Sequence, residues 1–173
     1  MKKIIHFLWI LLLVFACSGC GTGDNTAKVS DTNGDGKLTC TLEVRCDTLL
    51  NHLEELKGDK ATLVPENGQI LEAREVEFEA GESVFDVFRR VLKEEKIHFE
   101  YTDASVYDSV YIEGIGNLYE FDCGEQSGGM FSVNGTYPGL GCSGYTLADE
   151  DAIVFSYTCD LGADLGVEPV NEE

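Results

Sequence analysis

The three histidines are the side chains best suited to acid–base chemistry near neutral pH, but their positions form no catalytic pattern. His6 lies in an apolar N-terminal run, His52 lies off the apolar stripe of a short predicted helix, and His98 points outward on a predicted strand. No Asp, Cys or second His is spaced to orient His52 or His98 as a general base or a metal ligand. We therefore expect a protein that is not an enzyme and that requires no cofactor.

A group of oxygen ligands precedes the first predicted strand and imitates the first half of a calcium-binding EF-hand loop. Asp31, Asn33 and Asp35 occupy loop positions 1, 3 and 5, and a glycine follows at position 6. Position 12, which requires a bidentate Glu, is Leu42, and no helix is predicted before the loop. We expect an acidic linker here, with a calcium site as the weaker alternative.

Residues 127–145 are the stretch best suited to binding. A short strand is predicted from Met130 to Val133, and the dipeptide Asn134-Gly135 that follows favours a tight hairpin turn. The next residues are too rich in Gly and Pro for regular structure. We predict ligand contacts from Gly129, Met130, Asn134, Tyr137, Pro138, Leu140 and Tyr145. The alternative is that the two tyrosines pack over the sheet edge and the proline only shapes a turn.

This stretch also carries a family motif, which reads G-M-F-S-V-N-G-x-Y-P-x-x-G-C-S-x-Y-x-L-x-D-x-D-x-I. It resembles the bacterial DUF4430 family, a domain of uncharacterised role that is similar to the C-terminal domain of the vitamin B12 carriers transcobalamin and intrinsic factor. The resemblance covers residues 38–162. The family often has a Trp directly before the Met-aromatic pair, where this chain has Gly129.

The resemblance implies a β-grasp-like fold and a ligand of the corrinoid (vitamin B12) type lying against the 127–145 hairpin and loop. In those carriers a larger helical domain supplies the other half of the site. We therefore expect this domain to bind a corrinoid weakly, or to share it with another protein. The alternative function is a cell-surface adhesion or protein-interaction module that has no small-molecule ligand and pairs at an exposed strand edge.

The N-terminus predicts export. Lys2 and Lys3 precede the apolar run Ile4–Phe15, which is too short for a standard membrane-spanning helix and is typical of a signal peptide. The run ends at two cysteines, Cys17 and Cys20, that each follow a small residue, and this resembles a bacterial lipoprotein cleavage site. We favour Cys17 as the lipidated residue and retain Cys20. A plain secretory peptide with incidental cysteines is the alternative.

These signals divide the chain into a lipoprotein signal peptide (1–16), a flexible acidic linker (17–37), the domain (38–162) and an acidic tail (163–173). A single lipid group would tether a monomeric domain to the outer face of the bacterial membrane. The net charge of −20 excludes nucleic acid as a partner, because such a surface repels phosphate backbones. We interpret this charge as the solubility of a tethered surface protein, with a patch for cations or a basic partner as the alternative.

Seven cysteines in an exported chain predict disulfides. If the first and last strands are parallel neighbours, as the resemblance implies, Cys46 pairs with Cys159, and Cys123 with Cys142 then clamps the hairpin loop. Cys40 remains, either paired with Cys20 or free.

The apolar periodicity predicts an α+β fold, with one main helix packed on one face of a mixed sheet. The helix runs from Ser83 to Glu95, and Asp86 completes a capping box. Alternation in Leu38–Cys46 and Ala152–Cys159 predicts half-buried strands. The remaining strands are predicted at 73–80, 97–101, 106–112, 118–123 and 130–133.

Overall fold

The computed structural model describes residues 37–104 and 109–167. The signal peptide, Cys17, Cys20 and the calcium candidates Asp31, Asn33 and Asp35 lie outside the described residues, as do residues 168–173. The regular elements are β1 Leu38–Arg45, β2 Gln69–Phe78, α1 Val84–Glu94, β3 Phe99–Ala104, β4 Ser109–Ile115, β5 Leu118–Tyr119, β6 Gly128–Val133 and β7 Asp151–Thr158. Short 3-10 helices cover Asp47–Asn51, Leu53–Glu55, Lys60–Leu63 and Ala163–Leu165.

Four strands form a mixed sheet in the order β2-β1-β7-β6. The first and last strands are its parallel centre, with Leu42 opposite Ile153, and β2 and β6 flank them in antiparallel pairing. Alternate residues of β1 and β7 are buried, because only one face of each strand meets the core. The predicted parallel pairing of these two strands is confirmed.

The other three strands form a separate antiparallel sheet in the order β3-β4-β5. A tight turn at Gly116-Asn117 joins β4 to β5, and both residues have positive φ, 62° and 64°. The strand predicted at 118–123 ends at Tyr119. Its backbone N–H donates to the Asp122 carboxylate at 2.7 Å, so a capped loop replaces the rest of the strand.

Helix α1 begins with the predicted capping box. The Ser83 hydroxyl accepts from the Asp86 N–H at 3.2 Å, and the Asp86 carboxylate accepts from the Ser83 N–H at 3.0 Å. Phe88 on the buried stripe contacts rings of both sheets, with centroid distances of 4.4 Å to Phe155 and 5.3 Å to Phe99. The α+β fold with one main helix on a mixed sheet is therefore confirmed. Among the described residues, no helix has the length and apolar character needed to cross a membrane.

A smaller apolar cluster lies beside the main core and includes Cys46, Leu49, Leu118, Cys123 and Tyr157. The short helix predicted around His52 is replaced by two 3-10 turns, Asp47–Asn51 and Leu53–Glu55.

The described cysteines are free in this structure, so neither predicted disulfide is supported. Cys142 belongs to the main core, whereas Cys123 belongs to the smaller cluster. The parallel register places Arg45 opposite Ser156, and Cys159 therefore lies beyond the end of β1 rather than level with Cys46.

Candidate functional site

A cavity of about 150 Å³ lies between the two sheets. One wall is the buried face of the four-stranded sheet, with Val44, Phe131 and Phe155. The opposite wall comes from the second sheet, with Ile112 and Leu118. Across the Gly116-Asn117 turn, β4 pairs with β5 and not with a strand of the first sheet. The apolar walls of the cavity can surround an apolar group of a ligand.

Polar side chains line the same cavity. The Tyr111 hydroxyl donates to the Glu120 carboxylate, and burial together with this bond raises the pKa of Tyr111 to about 12. Arg45 donates to Asp47 at 3.0 and 2.9 Å, and these bonds hold the pKa of its guanidinium above the usual range. At neutral pH the cavity therefore offers a neutral phenol and a fixed cation. These two groups can form hydrogen bonds with the polar edge of a ligand. Neither has a pKa shifted towards neutrality, as proton transfer would require.

Two of the predicted ligand contacts, Gly129 and Met130, line the cavity. A Cβ built on Gly129 would meet no atom within 4 Å, so the space above this residue is open. The Met130 side chain lies under the segment after β7, because a Cβ on Gly162 would come 2.8 Å from its sulfur.

The other predicted contacts do not line the cavity. The Asn134 amide donates to the Asp151 carboxylate at 2.8 Å and accepts from the Ala152 N–H at 2.9 Å, so this side chain holds the hairpin turn. Tyr145 packs against the main core. Tyr137 and Pro138 are half-buried in the loop, whereas Leu140 is 47% exposed.

Sequence reasoning missed the cavity wall formed by β4 and β5. Val110 and Ile112 follow ordinary strand alternation, and nothing local marks the gap between the sheets. The available signal was the glycine content of the loop after β6, because Gly141 lies directly against β4: a Cβ there would come 1.8 Å from the Ser109 hydroxyl. The Ser143 hydroxyl accepts from the Val110 N–H at 2.9 Å and fixes the loop to this wall.

A solved structure shares this fold. Haptocorrin in complex with Cbi aligns with a TM-score of 0.50 and 14% identity, over 73% of this chain and 26% of the haptocorrin chain. This chain thus corresponds to about a quarter of haptocorrin. A Ruminococcus gnavus ATCC 29149 protein, provisionally described as metal binding, aligns with a TM-score of 0.40 and 13% identity, over 70% of this chain and 97% of that protein.

Among curated proteins, no sequence matches this chain significantly. A family model does match, over the helix, the second sheet, the hairpin and the last strand. Residues 81–159 match the family described as a domain of unknown function, DUF4430, which confirms the resemblance predicted from the sequence.

Proposed function

We propose that this protein is a non-catalytic binding module that takes a corrinoid at the cavity between its sheets. The observation that carries the proposal is an apolar cavity with a polar lining directly beside Gly129 and Met130, in the stretch with the family motif. The choice of a corrinoid rests on that motif and on the fold shared with haptocorrin, which was solved with Cbi. We also propose that the module is exported and tethered through an N-terminal lipid.

The cavity size limits how a corrinoid can bind. A volume of about 150 Å³ admits one peripheral group but not a whole corrin ring. The ring would lie outside the cavity, across the open space above Gly129 and towards the exposed side chain of Leu140. The Tyr111 phenol oxygen, whose proton is donated to Glu120, could accept a hydrogen bond from an amide N–H at the ring edge, and the Arg45 guanidinium could donate to an amide carbonyl. With one face of the ring uncovered, we expect weak binding unless a second protein covers it.

The test is titration of the full chain with cobinamide and with cobalamin, followed by calorimetry and corrin absorbance. Ile112→Glu places a carboxylate in the apolar wall, and we expect it to weaken binding at least tenfold because burying an unpaired charge is costly. Thr102→Glu is the matched control. It adds the same charge to the same sheet, at an exposed position opposite Tyr111 that does not line the cavity.

A gain-of-binding variant tests the position of the ligand. The open space at Gly129 can hold a large side chain, and an aromatic ring there would stack on the ligand. We expect Gly129→Trp to tighten corrinoid binding several-fold without loss of stability. The titration extends to about millimolar ligand, where the binding free energy is only about −4 kcal/mol. The corrinoid proposal would be overturned if both the wild-type chain and Gly129→Trp gave no heat and no spectral change over this range.

One observation favours the alternative of a protein-interaction module. Strand β2 is an edge of the four-stranded sheet and exposes an acidic row, Glu72, Glu75 and Glu77. Such an edge could accept an added strand from a basic peptide. Binding of a lysine-rich extended peptide that is lost in Glu75→Lys, together with a silent corrinoid titration, would support this function instead.

A further inference from the structure

Three side chains of metal-ligand types lie close together, one of them in the smaller apolar cluster, and none of the three lines the cavity between the sheets. The imidazole of His52, the carboxylate of Glu55 and the thiol of Cys123 have ligand atoms that all lie within 4.8 Å of one another. We propose that these three side chains bind a divalent transition-metal ion of the zinc class.

The donor set selects the class of ion. Imidazole nitrogen, thiolate sulfur and a carboxylate oxygen are the ligands of zinc-like ions, whereas calcium and magnesium require oxygen. Zinc bonds of about 2.0–2.3 Å in a tetrahedral site place ligand atoms about 3.3–3.8 Å apart. The His52 Nδ1 and the nearest Glu55 oxygen are 2.9 Å apart, and all three ligand atoms stay within 4.8 Å. Movements of about 1 Å therefore suffice to form the site.

The fold holds two of the ligands on one turn. His52 and Glu55 are three residues apart at the Leu53–Glu55 3-10 helix, where side chains at this spacing lie above one another. The His52 carbonyl accepts from the Glu55 N–H at 2.9 Å, which closes the turn. The imidazole and the carboxylate are thus presented side by side.

Two contacts tie this turn to the loop that carries Cys123. The Lys57 N–H donates to the Asp122 carbonyl at 3.0 Å, and the Lys60 ammonium pairs with the buried Asp122 carboxylate at 2.5 Å. The Cys123 N–H is itself bound by the Ser127 hydroxyl at 3.0 Å. The ligands from the two segments are therefore held together before any ion arrives, as a metal site requires.

The three ligand residues differ in exposure, so the site has one buried side and one side open to solvent. Cys123 is only 4% exposed, whereas the side chains of His52 and Glu55 are 36% and 62% exposed. An ion entering from solvent would bind the Cys123 sulfur, and the coordinating thiol would release its proton to solvent.

A surface ion pair between His52 and Glu55 is the plainer explanation of two of these residues. It does not account for the sulfur. The Cys123 thiol has one weak contact with the protein backbone, 3.9 Å from its sulfur to the His52 carbonyl, and lies on the same side as the imidazole and the carboxylate. The test must therefore detect a bond to sulfur.

Cobalt(II) provides that test, because it occupies zinc sites and gives a near-ultraviolet charge-transfer band only when a thiolate is bound. The full chain is reduced, freed of metal and titrated with Co²⁺ alone. We expect one ion per chain, a thiolate band, and visible bands typical of tetrahedral cobalt that disappear when Zn²⁺ is added.

Variants assign the ligands. His52→Gln and Glu55→Gln change exposed side chains and should fold, and each should weaken Co²⁺ binding at least tenfold. Glu54→Gln and His98→Gln alter an exposed neighbour and the other described histidine, and should bind as the wild type does. Cys123→Ser should remove most of the band. If that variant does not fold, the His52 and Glu55 variants still test whether these side chains bind the ion.

Two results would overturn the proposal. One is the lack of a thiolate band in the folded, reduced wild-type chain. The other is a band that is unchanged by His52→Gln and by Glu55→Gln. Neither result depends on the cavity between the sheets, so corrinoid binding can succeed or fail separately.

Discussion

At the scale of single residues, Asn134 combines an unusual backbone conformation with two hydrogen bonds. Its φ is +52°, and its side chain bonds both Asp151 and the Ala152 N–H. We expect Asn134→Ala to lower the free energy of unfolding by about 1–3 kcal/mol, because the buried Asp151 loses a partner and Ala tolerates positive φ poorly. Urea unfolding measures this loss.

Asn134→Gly separates the two contributions. Glycine accepts a positive φ without strain, so this variant should lose only the hydrogen bonds and be more stable than Asn134→Ala. An alanine variant as stable as the wild type would show that the turn does not depend on this side chain.

Single residues are predictable from sequence where their partners are local. The Asn134-Gly135 turn and the Ser83–Asp86 capping box were readable because the bonded groups lie within a few residues of each other. His52 was predicted to be exposed, and its side chain is 36% exposed. Its proximity to Cys123 could not be predicted, because 71 residues separate them and only the folded loops bring them together.

At the scale of elements, one residue of α1 contacts both sheets. Phe88 is fully buried and contacts Phe155 of one sheet and Phe99 of the other. We expect Phe88→Ala to cost about 3–5 kcal/mol, since the cavity it leaves borders both sheets. Lys93→Ala, an exposed change on the same helix, should stay within about 0.5 kcal/mol of the wild type. Similar unfolding midpoints for the two variants would contradict this assignment.

Elements were predictable where one face is buried and the other is not. The alternation of β1 and β7 gave both strands with nearly correct ends. The second sheet was not predicted, because its formation depends on which strands pair. Tyr101 shows the difficulty. Alternation with the outward His98 places it inward, yet it is 41% exposed, and its ring meets those of Phe85 and Phe99 at centroid distances of 4.9 and 6.0 Å. The cavity between the sheets was missed for the same reason.

At the scale of the whole molecule, buried thiols should make the fold sensitive to alkali. Burial raises the pKa of the Cys40 and Cys142 thiols to about 11, against about 8.5 for an unfolded cysteine. Their contribution to stability is therefore complete below about pH 8.5 and is lost progressively as the pH rises towards 11, because only the unfolded chain releases these protons.

Urea midpoints measured from pH 7 to pH 10 test this expectation. The wild-type midpoint should fall above about pH 8.5. A Cys40→Ala/Cys142→Ala variant should be less stable throughout but should lose less stability over the same range. Equal slopes would show that these thiols do not cause the alkaline loss.

The predicted lipid anchor also concerns the whole molecule. After expression in a bacterial host, we expect the wild-type chain to incorporate labelled fatty acid and to remain with the membrane fraction. Cys17→Ser should abolish both, and Cys20→Ser should abolish neither. The reverse pattern would assign the lipid to Cys20, and fatty-acid labelling in neither the wild type nor the variants would contradict the anchor.

The parallel centre of the main sheet has a consequence for how the chain is made. The Thr39 N–H bonds the Asp149 carboxylate 110 residues later, and β7 inserts between β1 and β6. A ribosome releases β1 long before β7, its parallel neighbour in the centre of the sheet, so the sheet cannot close until late in synthesis. Such late folding would leave the chain open long enough to thread through a secretion channel, the route that its N-terminus predicts.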